Sequence, residues 1–162
     1  MKDLKPAFVI HLNSNFMELS RFTDYSLRVL IYATVKQPEK ITLAELTKAH
    51  RISHHHLVKI VHHLGKLGYL ENKRGRNGGI YLGRKPEQVS VGDVVRRTET
   101  HMNLVECFSP KNNACRLFPS CRLMGALIEA RDAFLGVLDS YTLADLSSNK
   151  KSILNLLRQR AA

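Results

Sequence analysis

Cys107, Cys115 and Cys121 are the three cysteines of this 162-residue chain, and they fall in one stretch spaced C-x7-C-x5-C. Thiolates are soft ligands that take iron–sulfur clusters, zinc or copper. The wide spacing differs from the C-x2-C knuckles of structural zinc ribbons and suits a loop wrapped around a larger object. Iron–sulfur clusters commonly take four protein ligands. A cluster here would therefore need oxygen, nitrogen or an outside molecule as its fourth. Spacing alone leaves open a cluster, a zinc site, or redox-active or idle thiols. No apolar stretch approaches the ~18 residues of a membrane span. The N-terminal apolar run, Ala7 to Ile10, is also too short for a signal-peptide core. These features predict a cytoplasmic protein with no membrane partner, where disulfides are rare and clustered cysteines read as metal or redox chemistry. With no close C-x-x-C, no G-x-G-x-x-G and no G-x-S-x-G, the sequence does not read as an enzyme.

A second group of residues carries charge. The formal net charge is +11, and a small protein this basic usually meets a polyanion, nucleic acid first. The charge is clustered. From Arg51 to Lys85 there are eight Lys and Arg residues against Glu71 alone, leaving seven net positive charges in that segment. Around positions 53–67, Leu57, Ile60, Val61, Leu64 and Leu67 recur at helical spacing and should face a core. About half a turn away stand His55, Lys59, His62 and Lys66, all donors and no acid. That pairing of faces is what a recognition helix in the major groove requires. Candidate DNA contacts are Ser53, His54, His55, His56, Lys59, His62 and Lys66, followed by Lys73, Arg74, Arg76 and Asn77 in a glycine-rich basic turn. Such a turn can approach a phosphate closely or place an arginine in the minor groove. The histidines, His63 included, form no clean ligand pair and have no carboxylate among them. Neutral histidines on a DNA-facing helix fit better, and their protonation would make binding pH-sensitive.

The elements that must position these groups follow from caps and periods. A first helix is predicted from about Ser20 to Val35, with Leu27, Leu30, Ile31 and Thr34 inward, ending at Gln37-Pro38. Thr42 with Glu45 forms a capping box for a short helix burying Leu43 and Leu46. After the turn His50-Arg51-Ile52, Ser53 caps the third helix, which Gly68 ends. Tyr69 to Glu71 and Ile80 to Leu82 are predicted strands joined by the basic hairpin tip. A helix from Ser90 to Thr98 comes next, then an irregular stretch from His101 to Ser120. Loops of that length in a compact domain are usually functional. A long helix from about Cys121 to Ser140 follows. It carries Leu123, Leu127, Phe134, Leu138 and Tyr141 near heptad spacing, with Leu135 flanking, and reads as a helix pairing with its twin. Thr142 caps a short helix, and Ile153 to Arg160 forms a last turn.

The predicted fold is mainly α: a winged helix-turn-helix with a two-stranded wing and a long dimerisation helix. The organisation read from the chain is an N-terminal extension (1–16), a DNA-binding domain (17–100) and a cluster-binding loop (101–121). The dimerisation helix with its short successor (122–148) and a C-terminal tail (149–162) complete it. Met17 is a second candidate start.

These residues resemble the Rrf-two family of winged-helix bacterial regulators, and its nitric-oxide-sensitive branch in particular. The resemblance rests on Phe22-Thr23-Asp24-Tyr25-Ser26-Leu27-Arg28, Val58-Lys59-Ile60 and Gly65-Lys66-Leu67-Gly68-Tyr69. It continues in Arg74-Gly75-Arg76-Asn77-Gly78-Gly79, Val91-Gly92-Asp93-Val94-Val95, Pro119-Ser120-Cys121-Arg122-Leu123 and Tyr141-Thr142-Leu143-Ala144-Asp145-Leu146. It implies a homodimer on a pseudo-palindromic double-stranded operator, with one cluster per subunit on Cys107, Cys115 and Cys121. A 4Fe-4S cluster is favoured and 2Fe-2S is the alternative. It also implies repression of nitric oxide detoxification genes, relieved when nitric oxide attacks the cluster. The alternative is a regulator of the same family that senses iron or redox status, or binds zinc. The fourth ligand implied is an aspartate of the partner's first helix, matched here by Asp24. By itself Asp24 reads as a first-turn acid favoured by the helix dipole, with Arg28 one turn on able to steady its carboxylate. The branch that regulates cluster biogenesis has a histidine three residues after the last cysteine; here that position is Met124. The gap between Cys107 and Cys115 is also longer than the nitric-oxide-sensitive pattern implies.

Overall fold

A computed structural model describes residues 18–76, 78–109, 111 and 113–159. The expected N-terminal extension and Asn77 lie outside the described residues. Seven α-helices and one hairpin are seen among them: α1 (Arg21–Lys36), α2 (Leu43–His50), α3 (His54–Lys66), β1 (Leu70–Lys73), β2 (Gly79–Leu82), α4 (Val91–Thr98), α5 (Arg122–Asp139), α6 (Leu143–Leu146) and α7 (Lys150–Gln159). The fold is the mainly helical winged helix-turn-helix read from the chain.

The caps act as their residue types dictate. Ser20, Ser53 and Ser90 accept the backbone N–H three residues on, at the starts of α1, α3 and α4. Thr42 and Glu45 close a reciprocal capping box on α2, satisfying two donors that a helix start leaves without partners. Arg51, at φ 55°, makes the left-handed turn that swings the chain from α2 into α3. The strands pair antiparallel with Leu70 opposite Leu82 and Lys73 opposite Gly79. Ile41 adds a short bridge to Ile80, so the loop before α2 is stitched to the wing.

One core lies beneath this unit. Val29, Leu30 and Ala33 of α1, Leu46 of α2, and Leu57, Ile60, Val61 and Leu64 of α3 meet there, closed from behind by Val94 and Leu143. The inward face of α1 differs from the predicted one. Thr23 and Ser26 are fully buried, whereas Leu27 and Ile31 are only partly so. Ser26 Oγ donates to the Phe22 carbonyl at 2.7 Å. Returning its hydroxyl to the helix's own backbone lets a polar residue sit inward without an unmade hydrogen bond. Apolar pattern alone therefore turned the helix by part of a turn.

His50 closes α2 against Tyr32, edge to face with ring centroids 5.6 Å apart. Its Nε2 is buried without a hydrogen-bond partner among the described residues. Burial, with the Arg28 charge adding to it and Asp24 opposing, lowers its pKa from 6.5 to about 4. A neutral buried imidazole stabilises the fold only where the unfolded chain does not take up the proton. Its contribution is therefore whole above the unfolded value and is lost as pH falls from 6.5 towards 4. A His50→Phe variant should accordingly show a smaller drop in melting temperature between pH 7 and pH 5 than the parent, by thermal denaturation at both values.

The long helix α5 stands apart from this core, and Leu135 is its one buried residue. Its C-terminal end is fastened to α4. Asp139 receives Arg96 Nη1 at 2.7 Å and Ser90 Oγ at 3.3 Å. The backbone continues the joint: Val91 N donates to Tyr141 O at 2.9 Å and Leu143 N to Val89 O at 3.0 Å. A Cβ on Gly92 would lie 2.9 Å from Asp139 Cγ and 3.0 Å from its backbone nitrogen, so the two helices meet where only glycine fits. The last helix begins at Lys150, earlier than predicted. It packs on α1 and α2, with Lys150 Nζ on the Gln37 carbonyl at 3.0 Å and Leu157 against the core.

Candidate DNA interface and cysteine loop

The third helix shows two chemical faces. Leu57, Ile60, Val61 and Leu64 are buried, while His54, His55, His56, Lys59, His62 and Lys66 are exposed, as is the cap Ser53. Leu67 is half-buried just beyond the helix end. His63 departs from the group: its Nε2 lies 3.1 Å from the Arg97 carbonyl and its ring meets Phe22 edge-on at 5.3 Å. It is a packing residue. Sequence reasoning missed Val58, which is 42% exposed on the wing-side flank of the donor face. Its spacing from His55 and His62 at helical intervals was the available signal.

The wing carries Lys73, Arg74 and Arg76, all exposed. Lys73 is partly engaged, with Nζ 3.5 Å from Glu71 and over the Tyr81 ring at 5.0 Å. Gly75 turns the chain at φ 100°. A Cβ at Gly78 would lie 2.6 Å from the Lys73 carbonyl, so the tip closes more tightly than a side chain there would allow. Behind the wing, Arg84 donates to the Leu67 carbonyl at 2.8 Å and stacks over Tyr69 at 4.9 Å, fixing the hairpin base to the end of α3.

Among its described residues the cysteine stretch is irregular, as expected, apart from one 3-10 turn over Glu106–Phe108. All three cysteines are half-buried and outside any disulfide. Cys107 sits in that turn and lines a cleft of about 290 Å³ with Phe108, Asn113, Phe118, Met124 and Ile128. Cys115 donates its N–H to Asn113 Oδ1 at 3.0 Å. Cys121 occupies the N-cap of α5, and its side chain makes no capping bond. Among the described residues no three His, Cys, Asp or Glu side chains converge as ligands of a single metal ion would. The donor chemistry nevertheless suits an iron–sulfur group: three thiols lie outside any disulfide, Cys107 on a largely apolar cleft and Cys121 at a helix start that no side chain caps. Such a group is several atoms across and holds its thiolates further apart than one ion does.

Asp24 lies in the first turn of α1. Arg28 holds it through Nε at 2.9 Å and Nη2 at 2.6 Å, the pairing expected from the four-residue spacing. Its side chain is 40% exposed. On α5, Leu123 (63%), Phe134 (36%) and Val137 (60%) are exposed, while Leu127 and Leu138 are half-buried; Tyr141 (41% exposed), expected on the same helix, lies just past its end. No helix among the described residues is long and apolar enough to cross a membrane.

A family model described as an iron-dependent transcriptional regulator, Rrf2, matches residues 19–149. The chain belongs to the Rrf2 family. Within it, the chain is similar to the HTH-type transcriptional regulator NsrR of Geobacillus kaustophilus, 50% identical over 145 residues, which is 89% of this chain and 99% of that protein. It is likewise similar to NsrR of Bacillus subtilis, 46% identical over 145 residues with the same coverage. Among solved structures it resembles CymR (YrzC), the global cysteine regulator of B. subtilis, with TM-score 0.65 and 28% identity over 83% of this chain and 98% of that one. This Rrf2 protein is a DNA-binding transcriptional regulator of the repressor type and not an enzyme.

Proposed function

We propose that this Rrf2 protein is a repressor whose iron–sulfur cluster senses nitric oxide, with loss of the cluster releasing the operators of nitric oxide detoxification genes. The observation that carries this reading is the set of three half-buried thiols, free of disulfides, in the irregular stretch that leads into α5. The kinship with regulators named NsrR supports it. Cys107, Cys115 and Cys121 would hold the cluster, of the 4Fe-4S type in preference to 2Fe-2S, and Asp24 of the partner subunit would be the fourth ligand. When bound, the cluster would supply iron open to attack by nitric oxide.

The chain's own residues do the rest. Residues 17–100 read the operator and 101–121 form the cluster loop. Exposed Leu123, Phe134 and Tyr141, with half-buried Leu127 and Leu138, would pair α5 with its twin in a two-fold dimer. Arg28 steadies the Asp24 carboxylate on the outer face of α1, where a partner subunit can reach it. The joint at Asp139 ties the far end of α5 to α4 and so to the recognition helix. Displacing the cysteine end of α5 would then change the spacing of the two recognition helices, a two-state element biased by a ligand.

Anaerobically purified protein tests this. Visible absorbance, cluster mass in native mass spectrometry and operator binding should all fall together as nitric oxide is titrated in. An Asp24→Ala variant should lose its cluster faster than the parent; unchanged cluster lifetime rules out the partner ligand. The family description as iron-dependent favours a second reading, a sensor of iron status. Operator release on chelation, without response to nitric oxide, would select it.

A further inference from the structure

The outward face of α3 is built of donors with one exception. His55, Lys59, His62 and Lys66 are exposed and polar, and Val58 stands among them with 42% of its surface open. The other β-branched residues of the helix, Ile60 and Val61, are buried, as are Leu57 and Leu64. Valine is a poor choice for an exposed helix position, since it loses side-chain freedom there and leaves apolar surface in water. Val58 also borders a groove of about 420 Å³ between α3 and the wing, whose floor is apolar (Leu43, Val61, Ile80) and whose rim carries His62, Asn72 and Lys73. The segment that presents this face is basic, Arg51–Lys85 carrying seven net positive charges. What covers Val58 must therefore combine polyanionic character with an apolar group facing outward.

Double-stranded DNA offers one such group on its natural base edges. In the major groove the edges of G, C and A present only donors and acceptors, whereas thymine adds its C5-methyl. We infer that Val58 is a specificity-determining residue that packs on the C5-methyl of one thymine in each operator half-site. The inference rests on the DNA-binding reading of α3. The neighbouring donors position the helix and read adjacent edges, and Val58 supplies discrimination that hydrogen bonds cannot, because it responds to a methyl group alone.

Uracil removes that methyl and leaves the hydrogen-bonding edge intact, which gives a direct test. The full-length protein, prepared anaerobically with its cluster, selects its operator from randomised duplexes. Each thymidine in the selected duplex is then replaced by deoxyuridine, symmetrically in both half-sites, and affinity is measured at fixed salt. At one thymine position the parent should lose about fourfold per half-site, the value expected for one buried methyl-sized group. Val58→Ser should bind thymine and uracil duplexes equally at that position, and Val58→Ile should keep the parent's penalty. Circular dichroism confirms that both variants are folded. Equal affinity of the parent for every uracil duplex, or a penalty that survives in Val58→Ser, overturns the assignment to Val58 while leaving the DNA-binding reading intact. Failure to enrich any duplex overturns both.

Discussion

Replacing Lys73, Arg74 and Arg76 together by alanine should flatten the salt dependence of operator binding and lower affinity by at least about two orders of magnitude near 0.1 M salt. Each phosphate neutralised by a cation contributes about 0.9 to the slope of log affinity against log salt. Three lost contacts remove about 2.7 per subunit on that basis. The loss should be largely independent of duplex sequence, because phosphate contacts position a protein without specifying bases. The three cations should not contribute equally. Lys73 already faces Glu71 and the Tyr81 ring, whereas Arg74 and Arg76 make no ion pair among the described residues. The double Arg variant should therefore reproduce most of the effect. The strands remain paired through backbone bonds from Leu70 to Leu82, so loss of binding would not reflect loss of the wing. Affinity measured across a salt series decides the matter; an unchanged slope would remove the wing from the interface.

The second large effect is expected at Gly92. Its Cβ would press on the Asp139 carboxylate and on the backbone nitrogen at the end of α5. A side chain could swing away, but the backbone cannot without moving the helix. Gly92→Ala should therefore cost about 1–3 kcal/mol, the usual penalty of overpacking a close contact. It should also break the Arg96–Asp139 pair and loosen the joint between α4 and α5. The Arg96 hydrogen bonds, opposed by slight desolvation, hold the Asp139 carboxyl below the usual carboxylate range. The functional consequence matters more than the stability. In the proposed switch this joint carries the state of the cysteine end to the DNA-binding unit. Gly92→Ala protein should load its cluster as the parent does, yet show a much smaller difference in operator affinity between holo and apo forms. Mobility-shift titrations of both forms, with melting curves alongside, measure the two effects. A full holo–apo difference in the variant would place the coupling elsewhere. Alanine at Gly136 is the natural contrast, because nothing lies within 4 Å of its Cβ in the subunit.

The DNA-binding half of the molecule was legible because its signals are local. Serine and threonine caps, a capping box and a glycine after the third helix act within a few residues, and α1 to α4 begin where those residues stand. The strand boundaries moved because Asn72-Lys73 looks like turn chemistry, yet its backbone finds Ile80 and Gly79 across the hairpin. An exposed two-stranded ribbon accepts polar side chains, since its propensity reflects the surface it fits. Lys150 and Lys151 concealed the first turn of α7 for a similar reason: neither adds to an apolar stripe. The α4–α5 joint was not legible. Gly92 and Asp139 are far apart in the chain, and only the fold brings a missing Cβ against a carboxylate. Val58 was legible in principle from its helical intervals to His55 and His62, but an apolar residue adds nothing to a pattern of donors. The cysteines were visible at once, and their chemistry was undecided until the kinship narrowed it.

The single buried residue of α5 has a further consequence. An 18-residue helix held by its own subunit chiefly at Leu135 and at its C-terminal joint has little reason to remain a helix alone. With the pairing proposed above, its order is supplied by a second copy, so the sensing arm is a concentration-dependent part of the molecule while the DNA-binding unit is not. A newly made chain would then possess a finished reading head before it possesses a sensor. Assembly, cluster capture and regulation become one event, set by how much of the protein a cell holds.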